Sequence, residues 1–141
     1  MFRRLVLSLT VILAAAIGYW TATNDARNDR VAQELRTNPD GERARKSMLV
    51  TLQDGRVYPV NFLHEGDTVF MGIDGRWWRA FQGAGQPVDL FMRGKDYRGH
   101  ARVVLDDPNY VDDVFARLRP SAPAWLPRWA NGKLVVIELM Q

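Results

Sequence analysis

The apolar residues of this chain follow three patterns in turn. Leu5 to Asn24 is a run of 20 residues without a charged side chain, residues 24–47 are strongly polar, and short apolar segments separated by turn residues follow from Met48 onward. A helix over the first run rises about 1.5 Å per residue and so matches the ~30 Å hydrocarbon core of a bilayer. The pattern predicts a transmembrane anchor over residues 1–23, a juxtamembrane linker over 24–47 and a β-rich domain over 48–141.

The C-terminal end of the apolar run favours a retained anchor. Tyr19 and Trp20 are the last large apolar residues of the run, and aromatic residues favour the membrane–water interface. A cleaved signal peptide is the rival interpretation, because Ala14-Ala15-Ala16 matches the small-residue pattern of a cleavage site. We expect a single-pass membrane protein whose partner is the lipid bilayer, through residues 5–23. Basic residues flank both ends almost equally, so the side of the membrane that carries the domain stays open.

The polar linker is expected to be a solvated spacer. Asn24 or Asp25 is suited to cap a short helix that carries Val31 and Leu35 four residues apart. A basic cluster at residues 43–46 precedes the domain and suits attraction to anionic lipid headgroups.

The domain is expected to be mainly β, of the α+β class. Pro59 removes a backbone donor from the second strand, which predicts an edge or a bulge there. Asp107 and Pro108 are expected to begin a helix that ends near Leu118. Residues 76–82 predict one or two helical turns. Six short strands with one flanking helix are typical of a small closed barrel; they are predicted at residues 48–53, 56–63, 68–73, 87–93, 97–105 and 133–140.

Charge and composition narrow the possible functions. The net charge is +3, but residues 1–46 hold 8 basic and 5 acidic residues, whereas residues 47–141 hold 11 of each. The domain therefore has no basic footprint for a phosphate backbone, and we expect no nucleic-acid partner. There is no cysteine, and His64 and His100 stand in no ligand motif, so no metal site is predicted. No serine lies in a nucleophile setting, and the catalytic residues are unknown. These exclusions leave chemistry carried by a cofactor, or binding.

Two segments offer binding chemistry. The first hairpin presents Thr51 and Arg56, and its return strand presents Tyr58, Pro59 and Asn61. An arginine beside backbone N–H groups suits a phosphate clamp, although a plain hairpin with a solvated arginine fits the same residues.

The second segment is Trp77-Trp78-Arg79. Neighbouring helical residues point about 100° apart, which allows one tryptophan to enter the core and the other to stack on a planar ring beside the arginine. Two core-packing tryptophans are the alternative.

A longer stretch resembles a known family. Residues 76–104 read RWWRAFQGAGQPVDLFMRGKDYRGHARVV and resemble the deazaflavin-dependent nitroreductases, which have the split-β-barrel flavin-binding fold. The resemblance rests on an aromatic helix (Trp77–Phe81), a G-x-P-V strand (Gly85–Val88), an R-G turn (Arg93-Gly94) and a G-x-A-x-V-V strand (Gly99–Val104). Upstream, residues 49–63 look like the family's first hairpin.

The resemblance implies a six-stranded antiparallel split β-barrel with a deazaflavin coenzyme or FMN in a groove beside it. Two departures stand out: only Asp54-Gly55-Arg56 occupies the place of a longer basic loop, and Ala80 stands where the family often has Asn. The implied cofactor-binding residues are Thr51, Arg56, Tyr58, Pro59, Asn61, Gly72, Ile73, Trp77, Trp78 and Arg79.

The function expected from these features is that of a membrane-anchored oxidoreductase. It would transfer a hydride from the reduced cofactor to a small-molecule acceptor such as a quinone or a nitro compound. The alternative is a cofactor-free split-barrel module for binding or assembly at the membrane. Split barrels of this type often pair, so a homodimer is a further expectation.

Overall fold

A computed structural model describes residues 2–141, with side chains from Val6 onward. Six antiparallel strands form a closed barrel in the order β1-β2-β3-β6-β5-β4, with β4 returning to β1. The fold class and the six-stranded barrel are therefore confirmed. The strands are β1 (Ser47–Thr51), β2 (Val57–Glu65), β3 (Thr68–Ile73), β4 (Gln86–Met92), β5 (Lys95–Val104) and β6 (Lys133–Leu139).

Within residues 2–141, three α-helices lie outside the barrel wall: α1 (Phe2–Thr37), α2 (Glu42–Lys46) and α3 (Pro108–Leu118). Of the two 3₁₀ helices in the same range, Arg76–Phe81 packs Phe81 into the barrel core, and the other is Arg128–Asn131. Asp107 caps α3 as expected, because its carboxylate accepts a hydrogen bond from the backbone N–H of Tyr110.

Alternation along the strands creates an inner and an outer apolar layer. Val135 and Ile137 of β6 point into the barrel, whereas Leu134 and Val136 pack outward against α3. Because both of its faces are covered, β6 is apolar on both. Phe115 of α3 belongs to the outer layer.

The structure corrects the expected linker. No new helix begins at Asn24 or Asp25, because α1 continues without a break to Thr37. The end of α1 is also not a solvated spacer: Leu35 is 2% exposed and packs with Ala44 of α2 and Leu49 of β1. The polar residues at 24–30 allow this continuous helix because no proline or glycine interrupts them.

The first part of α1 is long and apolar enough to cross a membrane. Within Val6–Thr37 an 18-residue window has a mean hydropathy of 1.7, and none of that window is buried against the rest of the protein. A signal sequence can have the same length and apolar composition.

Candidate functional site

A cleft opens where β2 exchanges one neighbour for the other. Residues 57–61 of β2 pair with β1, whereas residues 62–65 pair with β3. The β2–β3 ladder ends at Phe62 opposite Met71, so the first half of β2 separates from Gly72 and Ile73 at the end of β3. Pro59 lies in this half, which has no strand on its second side, as expected for a residue that lacks a backbone donor.

The space between the separated strands has a volume of about 440 Å³. Cavities of this size are typical of small-molecule and cofactor sites. We call this space the cleft; its lining residues are Asn28, Val31, Arg43, Ser47, Tyr58, Pro59, Val60, Asn61, Gly72, Ile73, Asp74, Gly75, Trp77 and Arg119.

Stacked aromatic rings form one wall of the cleft. The rings of Tyr58 and Trp77 lie 4.2 Å apart between centroids, with only 8° between their planes. Trp77 also meets Phe81 edge-on at 6.0 Å, and Phe81 is fully buried in the barrel core. The buried ring holds the half-buried indole of Trp77, and the indole in turn holds Tyr58, so this wall is a fixed apolar surface.

Arg119 provides the cationic end of the cleft. Its guanidinium donates to the backbone oxygen of Asn131 at 2.8 Å and, at a long 3.4 Å, to the Asp74 carboxylate. The side chain is 22% exposed and lies over the Phe115 ring, 5.2 Å from its centroid. The long contact to Asp74 leaves this guanidinium able to bind a further anionic group in the cleft.

The floor of the cleft depends on a glycine. A Cβ atom added at Gly72 would lie 2.7 Å from Phe115 Cε1 and 2.9 Å from Arg119 Nη2. Any larger residue would therefore displace the ring or the guanidinium, which explains glycine in the middle of an otherwise bulky β3.

Helix α1 itself contributes to the cleft. Asn28 and Val31 of α1 and Arg43 of α2 line its outer side. Arg43 is held by Glu34 of α1 at 2.8 Å, and between the paired strands β1 and β2 Ser47 donates to the Asn61 side chain at 3.0 Å. The site is thus built from the barrel together with the segment that connects it to the apolar run.

Most of the predicted site residues meet in this cleft. Six of the ten line it: Tyr58, Pro59, Asn61, Gly72, Ile73 and Trp77. These residues lie close together because β2 and β3 separate here. The separation places residues about 15 positions apart in the chain on opposite sides of the cleft.

Three predicted residues lie elsewhere. Thr51 lines a separate depression of about 250 Å³ against β4 and β5, because it ends β1 on the other side of the hairpin. Trp78 is half-buried beneath two cations, with Arg79 Cζ at 5.8 Å and Lys133 Nζ at 5.5 Å from its ring centroid. Trp78 and Arg79 therefore contact each other outside the cleft, and both Trp77 and Trp78 pack against the barrel core, as in the alternative of two core-packing tryptophans.

Arg56 is turned toward its own hairpin. Its Nε donates to the Asp54 carboxylate at 2.7 Å and its Nη1 to the Tyr58 hydroxyl at 3.2 Å. The Arg56 backbone N–H also donates to Asp54, and this bond is the main cause that holds the pKa of the Asp54 carboxyl below its usual range. The hydrogen bond to Asp54 raises the pKa of the Arg56 guanidinium. Arg56 is at the rim, beside Tyr58, but its charge is already paired.

No local pattern in the sequence marks the cationic end of the cleft. Arg119 is 47 positions beyond Gly72, just past the end of α3, and Asn28 precedes the domain altogether. Only the packing of α3 against β3 and of α1 against β2 brings them to the cleft.

Comparison with known proteins supports the fold. No family model and no curated protein matches the sequence. A putative pyridoxamine 5'-phosphate oxidase from Listeria innocua is 13% identical with a TM-score of 0.53, over 68% of this chain and 85% of that one.

Two further structures are less similar. A putative 5-nitroimidazole antibiotic resistance protein from Bacteroides thetaiotaomicron is 18% identical with a TM-score of 0.43, over 68% of this chain and 74% of that one. An FMN-binding protein from Syntrophomonas wolfei is 11% identical with a TM-score of 0.42, over 92% and 94%. The Listeria protein scores above 0.5, so the barrel shares the fold of that structure. The nitroreductase family within that fold stays a prediction.

Proposed function

We propose that this chain is a membrane-anchored oxidoreductase that binds a flavin or a deazaflavin in the cleft. The reduced cofactor would give a hydride to a quinone or a nitro compound. The observation that carries the proposal is a cleft of about 440 Å³ with an aromatic wall at one side and a guanidinium at the other. A planar ring system that carries an anionic tail has the same two-part character.

The donor set of the cleft fits such a group. Arg119 has a partly covered cation with long contacts to Asp74, and this suits a phosphate. The hydroxyl of Ser47 and the amide of Asn61 suit ribityl hydroxyls and ring carbonyls. The separated edges of β2 and β3 add backbone groups without a strand partner on that side, which can hydrogen-bond the edge of a ring.

The residues of the chain would position the cofactor and shield it from water. The redox chemistry comes from the cofactor itself. When bound, it supplies the hydride, and a quinone that takes up this hydride and one proton becomes a quinol. Trp77 and Tyr58 would exclude water from the bound ring system, and Arg119 would hold its anionic tail.

The anchor supports a lipid-soluble acceptor. The apolar part of α1 ends at Thr23, and Asn28, one and a half turns later, already lines the cleft. An anchored chain would therefore hold the cleft close to the bilayer, where quinones dissolve.

Titration of the full chain in lipid nanodiscs tests the proposal. FMN and a deazaflavin coenzyme, each oxidised and reduced, are added while cofactor fluorescence is followed. We expect saturable binding of at least one of them with one site per chain, weakened by Arg119→Met. Arg117→Met is the matched control, because Arg117 lies two residues away and binds Glu65 and Asp113 outside the cleft. A folded chain that binds none of the four ligands would refute the proposal.

One observation favours the cofactor-free alternative. Three cations at or near the cleft have acidic partners: Arg43 with Glu34, Arg56 with Asp54, and Arg119 with Asp74. A binding module needs no free cation, and for it the titration would show no saturation with any flavin while the barrel stays folded.

A further inference from the structure

Two tryptophans are strongly exposed on the connection between α3 and β6. Trp125 is 79% exposed and Trp129 is 84% exposed, more than any other large apolar residue among those whose side chains the structure describes. The indole ring is largely apolar with one polar N–H, so it gains most where an apolar phase meets water. Two such rings on one short connection indicate that this surface contacts something other than the chain itself.

The connection lies beside the cleft. Arg119 lines the cleft together with Asn28 of α1, and it also lines a second depression of about 490 Å³ with Leu126, Arg128 and Asn131. Since Arg119 donates to the backbone oxygen of Asn131, the two depressions adjoin at this arginine. The tryptophans therefore belong to the end of the barrel where Asn28 lies.

Helix α1 runs along the barrel toward this same end. Just after α1 ends, Pro39 lies against the β4–β5 turn, since a Cβ added at Gly94 would lie 2.8 Å from the Pro39 Cβ. Nine residues before its end, α1 reaches the cleft at Asn28. Toward its N-terminus, α1 therefore passes from the β4–β5 turn to the cleft. The apolar part of the helix starts five residues beyond Asn28, at Thr23, which is about 7.5 Å further along the helix axis.

We propose that the surface formed by Trp125 and Trp129 sits in the headgroup region of the bilayer that α1 crosses. The inference rests on the membrane anchorage in the proposed function. Tyr19 and Trp20 mark the same interface on the helix, where they are 75% and 66% exposed.

The chemistry of the connection suits a lipid surface. Residues 120–132 contain no acidic side chain, and their one charged residue is Arg128. Nothing on the segment repels anionic headgroups, and its prolines limit the entropy lost when the loop is held at an interface. The opening of the cleft at Arg119 would then face the membrane surface, which gives a lipid-soluble acceptor a short path to the site.

The absence of cysteine makes a direct test simple. Trp125→Cys, Trp129→Cys and Lys95→Cys are each made in the full chain and labelled with an environment-sensitive nitrobenzoxadiazole dye. Lys95 is exposed and lies at the β4–β5 turn, the end of the barrel away from the apolar run, so it is the matched control. The labelled chains are reconstituted into phosphatidylcholine–phosphatidylglycerol vesicles that contain lipids with a spin label near the headgroup.

We expect the spin-labelled lipid to quench the dye at 125 and 129 and to leave the dye at 95 unaffected. Equal quenching at all three positions, or none at 125 and 129 in chains that float with the vesicles, would overturn the inference and leave anchorage intact. Chains that do not float with the vesicles would overturn anchorage and this inference together. Disulfide-linked pairs of unlabelled Trp125→Cys chains, without quenching of the labelled ones, would instead assign the surface to a second copy. Cofactor binding by the same preparations is measured separately, so the redox proposal stands or falls on its own result.

Discussion

Replacing Arg119 by methionine should weaken the binding of FMN and leave the binding of riboflavin nearly unchanged. The two ligands share their ring and ribityl chain and differ only in the phosphate. In the structure Arg119 keeps unused hydrogen-bonding capacity toward the cleft, because its bonds to Asp74 are 3.4 Å long. Methionine keeps most of the length and apolar stem of the side chain and removes only the charge and the donors.

The expected loss follows from the burial and chemistry of the contact. The Arg119 side chain is 22% exposed, so a phosphate bound there would make a partly desolvated, charge-assisted hydrogen bond. Such bonds contribute about 1.5–3 kcal/mol, which corresponds to a Kd about 10- to 140-fold higher for FMN in the variant. For riboflavin the expected change is less than about threefold, within the ~0.5 kcal/mol typical of substitutions that remove no contact.

The assay is fluorescence titration of full chains in nanodiscs, with Arg117→Met and Arg56→Met measured in parallel. Thermal unfolding of each variant without ligand reports the cost of losing the bond to Asn131, which is a separate quantity. Equal losses for FMN and riboflavin in Arg119→Met would show that the arginine only supports the fold. A selective loss of FMN in Arg56→Met instead would return the phosphate site to the first hairpin and refute the assignment.

Three further measurements test the cleft and its rim. A double-mutant cycle with Tyr58→Leu and Trp77→Leu should give a coupling of about 0.5–1.5 kcal/mol in denaturant unfolding, because the two rings stack at 4.2 Å; additive effects would mean that the stack forms no stable wall. Gly72→Ala should lower the stability by about 1–3 kcal/mol through overpacking, and calorimetry showing an unchanged melting temperature would contradict the close approach. Arg56→Ala should leave the Asp54 pKa below its usual range, since a backbone N–H that the substitution keeps is the largest cause of the lowering. In carbon-detected NMR titration the Asp54 carboxyl should still titrate below its usual range. Because its pKa is lowered in the folded state, the ionised Asp54 carboxylate stabilises the fold at neutral pH. This stabilisation is lost as the pH falls through the folded-state pKa.

Local signals in the sequence were sufficient for the barrel. Turn residues separate short apolar segments, and the predicted third strand at 68–73 has the bounds of β3. Asp107 and Pro108 begin α3 as their capping chemistry indicates. Local signals failed at the linker, because Val31 and Leu35 are a short apolar pair among polar neighbours and only the contact of Leu35 with Leu49 shows why they are there.

The site was predictable only where it lies on consecutive strands. Tyr58 and Gly72 belong to neighbouring strands of one meander, so the family resemblance could place them together. Arg119 reaches the cleft through the packing of α3, a contact between distant parts of the chain that no local pattern encodes. Arg56 is an arginine in the hairpin where a phosphate-binding residue was predicted, but its guanidinium is paired with the Asp54 carboxylate two residues away.

The indole N–H signals of the tryptophans test the central claim most directly. The chain has five tryptophans, and single phenylalanine substitutions assign their signals in a ¹⁵N-labelled full chain in micelles. Addition of FMN or a deazaflavin should shift the Trp77 signal most, along a saturation curve with the Kd measured by fluorescence, and should leave Trp129 unmoved. Saturable binding that shifts Trp78 or Trp129 and leaves Trp77 unchanged would place the ligand outside the cleft and contradict the account.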